Sequence, residues 1–305
     1  MIPIHPPKQF IEACSVLGLP STLIDSYDSI YVPTAQWIYT EKATRAHPFV
    51  LGVNGAQGAG KSTFCALLKV LLKTAGMSCV ILSIDDLYHT SAHRQRLGHD
   101  IHPLCSIRGV PGTHDVELGH RTLKQLSSNS SSETTLVPRF NKAADDRCPS
   151  SQWTNVVGAV DVILFEGWCI GARPMPAWTA PYNDRERQDD PHGIWSQWSS
   201  DCLVRSYQKL FEHLDALLMI KVPSMNSVRQ SRWLQERKLI EQIKSSPIEI
   251  ATKGIMSQTQ VNQYVALFER YTEYMFKEMP ARADVLIHRN DAFEFVLTRL
   301  PNTAG

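Results

Sequence analysis

The sequence has no long apolar run and almost no surplus of either charge. No stretch approaches the run of about 18 apolar residues that is typical of a transmembrane helix. The 31 lysines and arginines face 30 aspartates and glutamates, which leaves a formal net charge of +1. Binding to nucleic acids or membrane surfaces usually needs a strongly basic patch or tail. We therefore expect no nucleic-acid partner and no membrane partner.

Cysteine is present, but not in a spacing that suggests disulfides or a metal site. The seven cysteines are scattered along the chain, and no C-x-x-C pair occurs. This usage is typical of reduced thiols. The first residues lack the basic and then apolar order of a signal peptide, so none is expected. These features predict a cytoplasmic protein, and they leave open whether it is a monomer or a homodimer.

One glycine-rich stretch, residues 55–62, fits the phosphate-binding pattern G-x-x-x-x-G-K-[ST] at every fixed position. An apolar run at 49–53 precedes it and predicts a strand, and apolar residues at helical spacing follow it at 63–75. Backbone amides and a helix N-terminus can together bind phosphate oxygens. A chance glycine turn before a helix is the alternative. The expected nucleotide-binding residues are Gly55, Ala56, Gln57, Gly58, Ala59, Gly60, Lys61, Ser62 and Thr63.

Two side chains of this stretch are expected to carry chemistry. Lys61 would reach the β- and γ-phosphates, and the hydroxyl of Ser62 would bind Mg²⁺. The sequence therefore predicts ATP and Mg²⁺ as cofactors. The N-K-x-D motif of GTP-binding proteins does not occur, which argues against GTP.

The rest of the chain alternates apolar runs with helical patterns. Further buried strands are predicted at 79–84, 161–165, 216–222 and 284–288. Continuous apolar strands between helices are typical of a parallel sheet that is covered on both faces. We therefore expect a three-layer α/β fold with a five-stranded, mainly parallel sheet.

The sequence also predicts how the chain is organised. Residues 1–48 are expected to form an N-terminal helical extension, and residues 49–305 the main domain. Within this domain, a stretch rich in proline, tryptophan and charge predicts an insertion at 176–200. A lid-like helical segment is expected at 224–256, and a further helix at 257–279.

Acidic side chains directly follow two of the predicted strands. Asp85 follows one and Glu166 the other, so both should meet the glycine loop beyond the carboxyl ends of the strands. Asp85 is the candidate base for an acceptor hydroxyl, and Glu166 could hold Mg²⁺ through water or orient the substrate. Turn or cap carboxylates are the alternative, and Asp86 could exchange roles with Asp85. The candidate catalytic residues are Lys61, Asp85 and Glu166, and the candidate metal ligands are Ser62, Asp85 and Glu166.

Basic residues in the loops of the same edge favour an anionic small-molecule substrate. Arginine matches carboxylates and phosphates in a bidentate fork. Solvent-exposed loop charges are the alternative interpretation. Arg232 lies on a long charged helix that could close as a lid over the transferring phosphoryl group. The basic loop residues are Arg108, Arg139, Lys142 and Arg147.

Three segments, at 83–88, 109–115 and 165–168, together resemble the D-glycerate 3-kinase family. The stretch Pro111-Gly112-Thr113-His114-Asp115 is the most specific, because it separates this family from the uridine kinases. The similarity extends from about residue 49 to residue 290. It implies the fold of a P-loop kinase and transfer of phosphate from ATP, with Mg²⁺, to a small hydroxyl substrate, D-glycerate first. The stretch at 182–195 is more similar to bacterial than to plant members.

The resemblance and the loop charges together define a candidate substrate site. Its residues are Asp86, Tyr88, Arg108, Thr113, His114, Asp115, Arg139, Lys142 and Arg147. Asn141 stands where the family usually has Asp, which removes a charge from this loop. The acceptor could instead be a pantothenate-, uridine- or sugar-like alcohol. A nucleotide-dependent switch or chaperone that hydrolyses ATP is the alternative from another class.

Overall fold

Strands occupy the continuous apolar runs of the sequence. The computed structural model describes residues 2–3, 5–19, 22–128, 132–177, 179–245 and 256–301. Within these residues the strands are β1 (Phe49–Gly55), β2 (Cys79–Ser83), β3 (Thr134–Val137), β4 (Phe140–Asn141), β5 (Asp146–Arg147), β6 (Thr154–Val157), β7 (Val162–Gly167), β8 (Ala216–Lys221), β9 (Val285–Arg289) and β10 (Phe295–Arg299).

Helices fill most of the amphipathic stretches between the strands. Two short turns also bear on the site, a 3₁₀ turn at Ile84–Leu87 and a π-helical turn at Leu203–Tyr207. The α-helices of the described residues are α1 (Lys8–Val16), α2 (Thr22–Asp25), α3 (Val32–Ala43), α4 (Lys61–Thr74), α5 (Ser91–Asp100), α6 (Val116–Ser128), α7 (Asp184–Asp189), α8 (Ile194–Cys202), α9 (Gln208–Phe211), α10 (Met225–Ser245), α11 (Gln258–Ala266) and α12 (Glu269–Glu278).

One sheet with the strand order β10-β9-β8-β1-β7-β2 forms the centre of the molecule. Strands β9, β8, β1, β7 and β2 pair in parallel, and they are the five strands that the sequence predicts. The α/β fold class is therefore confirmed. The sheet has a sixth strand, β10, which runs antiparallel to β9 at one edge. This strand escapes sequence prediction because it is half exposed and so carries no continuous apolar run.

Side chains of the parallel strands enter two apolar cores on opposite faces of the sheet. Leu51 and Val53 face one core, together with α4 and the helices before β1. Val50, Ile163 and Phe165 face the other, together with α6 and α12. Full burial of one such side chain contributes about 1.5–3 kcal/mol. The two cores hold the carboxyl ends of β1, β7 and β2 side by side, and the candidate site forms there.

The helices that precede β1 pack on the helix that follows the glycine loop. Tyr31 stacks on Phe64 of α4 with ring centroids 5.2 Å apart, and Phe10 meets Tyr31 edge-on at 5.2 Å. Aromatic pairs of this kind add about 0.5–1.5 kcal/mol to simple burial. A helical segment at the N-terminus is thus present, whereas the division into an extension and a main domain at residue 49 stays a prediction.

The helix predicted at 257–279 is instead two helices, α11 and α12. At their junction, the amides of Leu267 and Phe268 bond to carbonyls three residues back, at 3.2 and 3.0 Å, so the α-helix is interrupted. This turn brings the ring of Phe268 against Trp168, with centroids 4.8 Å apart, and over Gly109. The periodicity of 257–279 therefore predicts the helical residues but not the break between the two helices.

Helix α10 occupies the first part of the predicted lid-like segment. The rest of that segment, at 246–255, lies outside the described residues, as does residue 178 of the predicted insertion. The described part of the stretch at 176–200 contains α7 and most of α8, and its status as an insertion stays a prediction. None of the helices in the described ranges combines the length and the apolar character needed to cross a membrane.

Candidate active site

The glycine loop between β1 and α4 has a backbone that only glycine adopts readily. Gly58 and Gly60 have φ angles of +72° and +96°. A Cβ atom on Gly55 would lie 3.0 Å from the carbonyl oxygen of Ile220, and one on Gly58 would lie 2.6 Å from Cβ of Ser231. The loop is therefore curled and closely enclosed by β8 and α10. Its form fits the phosphate cradle that the sequence predicts.

The first turn of α4 brings Lys61 and Ser62 to the buried Glu166 of β7. The hydroxyl of Ser62 donates to Glu166 at 2.9 Å, and Lys61 donates to the carbonyl of Ala56 at 3.1 Å. Burial raises the pKa of Glu166, and Lys61 opposes this in part. Burial lowers the pKa of Lys61, and the carboxylates of Glu166 and Asp85 oppose it. One cation thus stands among carboxylate and hydroxyl oxygens.

This set of groups fits a magnesium nucleotide. Mg²⁺ prefers oxygen ligands and takes most of them from water and substrate phosphates. Ser62 and Glu166 would supply the protein oxygens, and Lys61 a charge for the phosphates. Across the described ranges, no three His, Cys, Asp or Glu side chains converge on one point, and a site of this type needs no such cluster.

Asp85 lies in the 3₁₀ turn after β2 and faces the same edge. Lys142 donates to its Oδ2 at 2.7 Å, and the hydroxyl of Tyr88 donates to its Oδ1 at 3.1 Å. Burial by itself raises the pKa of Asp85. The positive charge of Lys142 and its hydrogen bond, with help from His114 and Lys61, outweigh burial and lower the pKa to about 2. Asp85 is therefore an ionised carboxylate at neutral pH.

The neighbouring Asp86 anchors the loop that follows β3. It accepts a hydrogen bond from Arg139 at 2.8 Å and another from the backbone N–H of Phe140 at 3.0 Å. Burial raises the pKa of Asp86, and these two donors counter the rise. Because both carboxylate oxygens of Asp86 are bonded to Arg139 and to the backbone of Phe140, the geometry favours Asp85 as the base. That choice stays a prediction.

Each of the four basic loop residues is paired with an aspartate. The sequence predicts that these positive charges bind an anionic substrate. In the structure such an anion would compete with the aspartate carboxylates that the basic side chains already bind. Arg147 is the most engaged, since its Nε and Nη2 also donate to the carbonyl of Tyr88 at 3.1 and 2.7 Å. The pairs are Lys142–Asp85 at 2.7 Å, Arg139–Asp86 at 2.8 Å, Arg147–Asp115 at 3.1 Å, and Arg108–Asp145.

Two cavities flank the glycine loop. One of about 360 Å³ lies at the carboxyl end of β2, and its lining includes Ser62, Asp85, Arg139, Lys142 and Glu166. The other, of about 380 Å³, lies between α10, α11 and the segment after β9. Both volumes fall in the range of small-molecule sites. The structure thus brings two of the three predicted catalytic residues, Asp85 and Glu166, and two of the four basic residues to the lining of one cavity. Lys61 lies next to Ser62 at the start of α4 but is not part of that lining.

The turn before α6, at 109–115, is held together by its own side chains. The hydroxyl of Thr113 donates to the carbonyl of Val110 at 2.7 Å and accepts the N–H of Gly109 at 3.0 Å. Asp115 accepts the N–H of Leu118 at 2.9 Å and so begins the helix. Both side chains therefore shape the turn, and their predicted contact with substrate is not tested.

Tyr88 connects His114, a residue of this turn, to Asp85. His114 is 3% exposed, and its ring stacks on Tyr88 with centroids 4.4 Å apart. Its Nδ1 lies 2.6 Å from the hydroxyl oxygen of Tyr207. Burial lowers the pKa of His114 to about 3, against the opposing effect of Asp85. The imidazole is therefore neutral at physiological pH.

Replacing Gly112 with alanine is expected to lower the free energy of unfolding by about 2–4 kcal/mol. Gly112 has φ +100°, and a Cβ would lie 2.5 Å from the indole of Trp198. The loss combines backbone strain with overpacking. Gly76→Ala is the matched control, because φ is +87° there but nothing lies within 4 Å. Urea titration should give a loss near 1 kcal/mol for Gly76→Ala, and equal losses for both variants would contradict the overpacking argument.

Arg232 faces its own helix rather than the glycine loop. It pairs at 2.8 Å with Glu236, which is 1% exposed and also accepts the N–H of Met256 at 2.8 Å. The adjacent Ser231 touches Gly58, so α10 does abut the loop. A role of Arg232 toward the nucleotide stays a prediction.

Sequence reasoning missed two polar side chains that hold the site in place. Arg289, which is 2% exposed, donates to the carbonyl of Gly58 at 2.7 Å and to Ser231 at 2.9 Å. Asn54 donates to the carbonyls of Trp168 and Ile170 at 2.8 and 2.9 Å. Arg289 directly follows the strand that the sequence predicts at 284–288, so the rule that places ligands beyond strand ends could have found it. No comparable signal marks Asn54.

The fold and the site together define a class. A parallel sheet in which the first strand leads through a glycine loop into a helix, with a carboxylate of the neighbouring strand bonded to the serine after the loop, is the arrangement of a P-loop nucleotide-binding protein. No family model matches the chain.

Comparison with known proteins narrows the class. The chloroplastic D-glycerate 3-kinase of Arabidopsis thaliana is 30% identical over 248 residues, which are 78% of this chain and 50% of the plant protein. The chain thus spans about half the length of that relative. The uncharacterized kinase mug58 of Schizosaccharomyces pombe is 28% identical over 228 residues, covering 71% of this chain and 80% of that protein.

A solved structure shows the same fold. The D-glycerate 3-kinase from Cryptococcus neoformans var. grubii serotype A matches with a TM-score of 0.66 at 24% identity, over 88% of this chain and 97% of that one. The relatives and structural neighbours are therefore D-glycerate 3-kinases and related P-loop kinases, and the resemblance seen in the sequence motifs is confirmed.

Proposed function

We propose that the protein is a kinase that uses ATP and Mg²⁺ to phosphorylate the 3-hydroxyl of D-glycerate. The observation that carries the proposal is the cavity at the end of β2, where Ser62, Asp85 and Glu166 meet Lys142 and Arg139. A phosphoryl acceptor with both a hydroxyl and a carboxylate matches this combination of a base and cations. The D-glycerate 3-kinase relatives support the same acceptor.

The proposed roles follow from the positions of the groups. Lys61 neutralises charge on the transferring phosphoryl group, and Ser62 and Glu166 hold Mg²⁺ at the phosphates. When bound, Mg²⁺ would supply positive charge that neutralises the charge of the phosphates during transfer. Asp85 accepts a hydrogen bond from the acceptor hydroxyl and takes its proton late in the transfer, since a loose transition state demands little from a base. A carboxylate with a low pKa can fulfil that task.

Lys142 is the first candidate for the carboxylate of the acceptor. It uses one of its three N–H donors on Asp85. The other two can bind a second anion while the pair with Asp85 is kept. Arg139 can assist, because its Nε and Nη1 are bound to Thr154 and Asp86 while its Nη2 has no partner among the described residues. Charge-assisted hydrogen bonds of this kind are about twice as strong as neutral ones.

Steady-state kinetics with a panel of acceptors tests this function. ADP release is measured with D-glycerate, L-glycerate, pantothenate and uridine, each at saturating ATP. D-glycerate should give the highest kcat/KM. A higher kcat/KM for pantothenate or uridine would show that the acceptor is an alcohol of that kind instead. ATP turnover that rises only when a protein partner is added would favour the alternative of a nucleotide-dependent switch.

Replacing Ser62 with alanine is expected to raise the Mg²⁺ concentration for half-maximal activity about 10–100-fold, a range typical for loss of a group that supports a metal ion. The change removes one oxygen from the proposed Mg²⁺ site and the hydrogen bond to Glu166. Ser78→Ala, which removes an exposed hydroxyl, is the control. An unchanged Mg²⁺ requirement in Ser62→Ala would remove this residue from the metal site.

A cytoplasmic location and a monomeric or homodimeric state stay part of the proposal. All seven cysteines are free thiols, and five of them are buried. This arrangement is typical of proteins in a reducing compartment. Light scattering in solution would give the oligomeric state directly.

A further inference from the structure

Tyr207 ends the π-helical turn at Leu203–Tyr207 and lies buried behind the turn at 109–115. Its hydroxyl oxygen accepts the N–H of Gly112 at 2.9 Å and lies 2.6 Å from Nδ1 of His114. A phenol has a single proton to donate. If Nδ1 carried a proton as well, the phenolic proton would have no acceptor within the described residues. The hydroxyl of Tyr207 therefore donates to Nδ1.

This hydrogen bond fixes the tautomer of His114. A neutral imidazole has one acceptor nitrogen and one N–H, so an acceptor at Nδ1 places the proton on Nε2. Burial keeps the ring neutral, because it lowers the pKa of His114 to about 3. The Nε2 atom is buried and has no hydrogen-bond partner within the described part of the chain. A buried donor without a partner is rare and calls for an explanation.

The position of the ring suggests where that partner comes from. His114 stacks on Tyr88, with 20° between the ring planes, and the hydroxyl of Tyr88 donates to Asp85. Asp85 is also the carboxylate whose charge acts on the His114 ring. The ring of His114 therefore lies against the side chain that contacts the proposed base. A neutral donor there can bind an oxygen without offering Asp85 a competing proton.

We propose that Tyr207 is a positioning residue, which holds His114 as the Nε2–H tautomer so that the ring donates a hydrogen bond to an oxygen of the acceptor substrate at Asp85. The identity of that acceptor rests on the function proposed above. The tautomer does not, since it follows from contacts within the chain.

Nitrogen NMR of the protein without ligands tests the tautomer. In protein labelled with ¹⁵N-histidine, long-range ¹H–¹⁵N correlations should show a protonated Nε2 and an unprotonated Nδ1 for His114, unchanged from about pH 5 to 9. The His114→Gln variant assigns the signals by their loss. Tyr207→Phe should give a mixture of tautomers. The control Tyr31→Phe removes a buried hydroxyl that has no partner in the described residues, and it should change nothing. A proton on Nδ1, a charged ring, or an unaltered Tyr207→Phe spectrum would overturn the proposal.

Kinetics test the link to the acceptor. Tyr207→Phe should raise KM for the acceptor about three- to tenfold, as expected for one neutral hydrogen bond, with KM for ATP unchanged. In His114→Gln, the amide N–H₂ replaces the Nε2 donor, so adding Tyr207→Phe should have no further effect. An equal rise in both KM values, or a full further effect in the double variant, would show a merely structural role. If D-glycerate is not turned over, the proposed function fails. The NMR result still decides the tautomer, and the kinetics use the acceptor that is active.

Discussion

Replacing Lys61 with methionine is expected to reduce kcat by about 10²–10³ while the fold stays intact, the size typical for loss of one preorganised donor at the reacting group. Lys61 is held at the first turn of α4 by the carbonyl of Ala56, and the carboxylates of Glu166 and Asp85 act on its charge. Methionine has a similar length and no charge. The effect should therefore appear in catalysis rather than in stability.

The matched control is Lys73→Met, on the exposed side of the last turn of the same helix. It removes an equal charge from α4, and kcat should stay within twofold of the wild type, because Lys73 is exposed and lies at the end of the helix opposite to the glycine loop. Equal activity of the two variants in single-turnover assays would contradict the assignment of the glycine loop as the ATP site.

Replacing Asp85 with asparagine should reduce kcat by about 10²–10⁴, the range of general-base contributions, with KM for ATP little changed. Asparagine keeps the size of the side chain and loses its charge and its ability to accept the proton. Asp86→Asn is the matched control one residue away. Since Asp86 holds Arg139 and the amide of Phe140, its loss should loosen the 139–142 loop and raise KM for the acceptor more than it lowers kcat. The reverse pattern in the two variants would exchange their roles.

The charge of Lys142 should also be visible in the pH dependence. Asp85 has its pKa lowered from 3.8 to about 2 in the folded protein, so the stability that its ionised form contributes is present above the ordinary value and is lost as the pH falls through 2. Its ionisation should therefore give no acidic limb of kcat/KM at physiological pH. Lys142→Met removes the main charge that lowers this pKa, so any limb from Asp85 should move to higher pH.

The glycine loop could be predicted from the sequence because its fixed pattern and its place between strand and helix are both local. The five parallel strands were predictable for the same reason, since each is a continuous apolar run. The sequence names Asp85 as the candidate base and keeps the adjacent Asp86 as an alternative. In the structure the two differ in their partners from the loop at 139–142, and the choice stays a prediction.

The contacts that hold the site depend on residues far apart in the chain. Arg289 contacts Gly58 and Tyr207 contacts His114. The strand-end position draws attention to Arg289 itself, but no local pattern in the sequence identifies its partner or the partner of Tyr207. Asn141, where the family usually has Asp, accepts the N–H groups of Ala143 and Ala144 at 3.0 Å each. It therefore shapes the turn beside Lys142, and an aspartate could accept the same two bonds.

The measurement that tests the central claim most directly is the identity of the phosphorylated product. Proton-coupled ³¹P NMR records the phosphorus signals of a reaction mixture that contains the protein, ATP, Mg²⁺ and D-glycerate. We expect ADP and a new phosphate-ester triplet, because phosphorus on the 3-hydroxyl couples to the two protons of a CH₂ group. A doublet would place the phosphate on the 2-hydroxyl. Inorganic phosphate alone would mean that the protein hydrolyses ATP, and it would contradict the account.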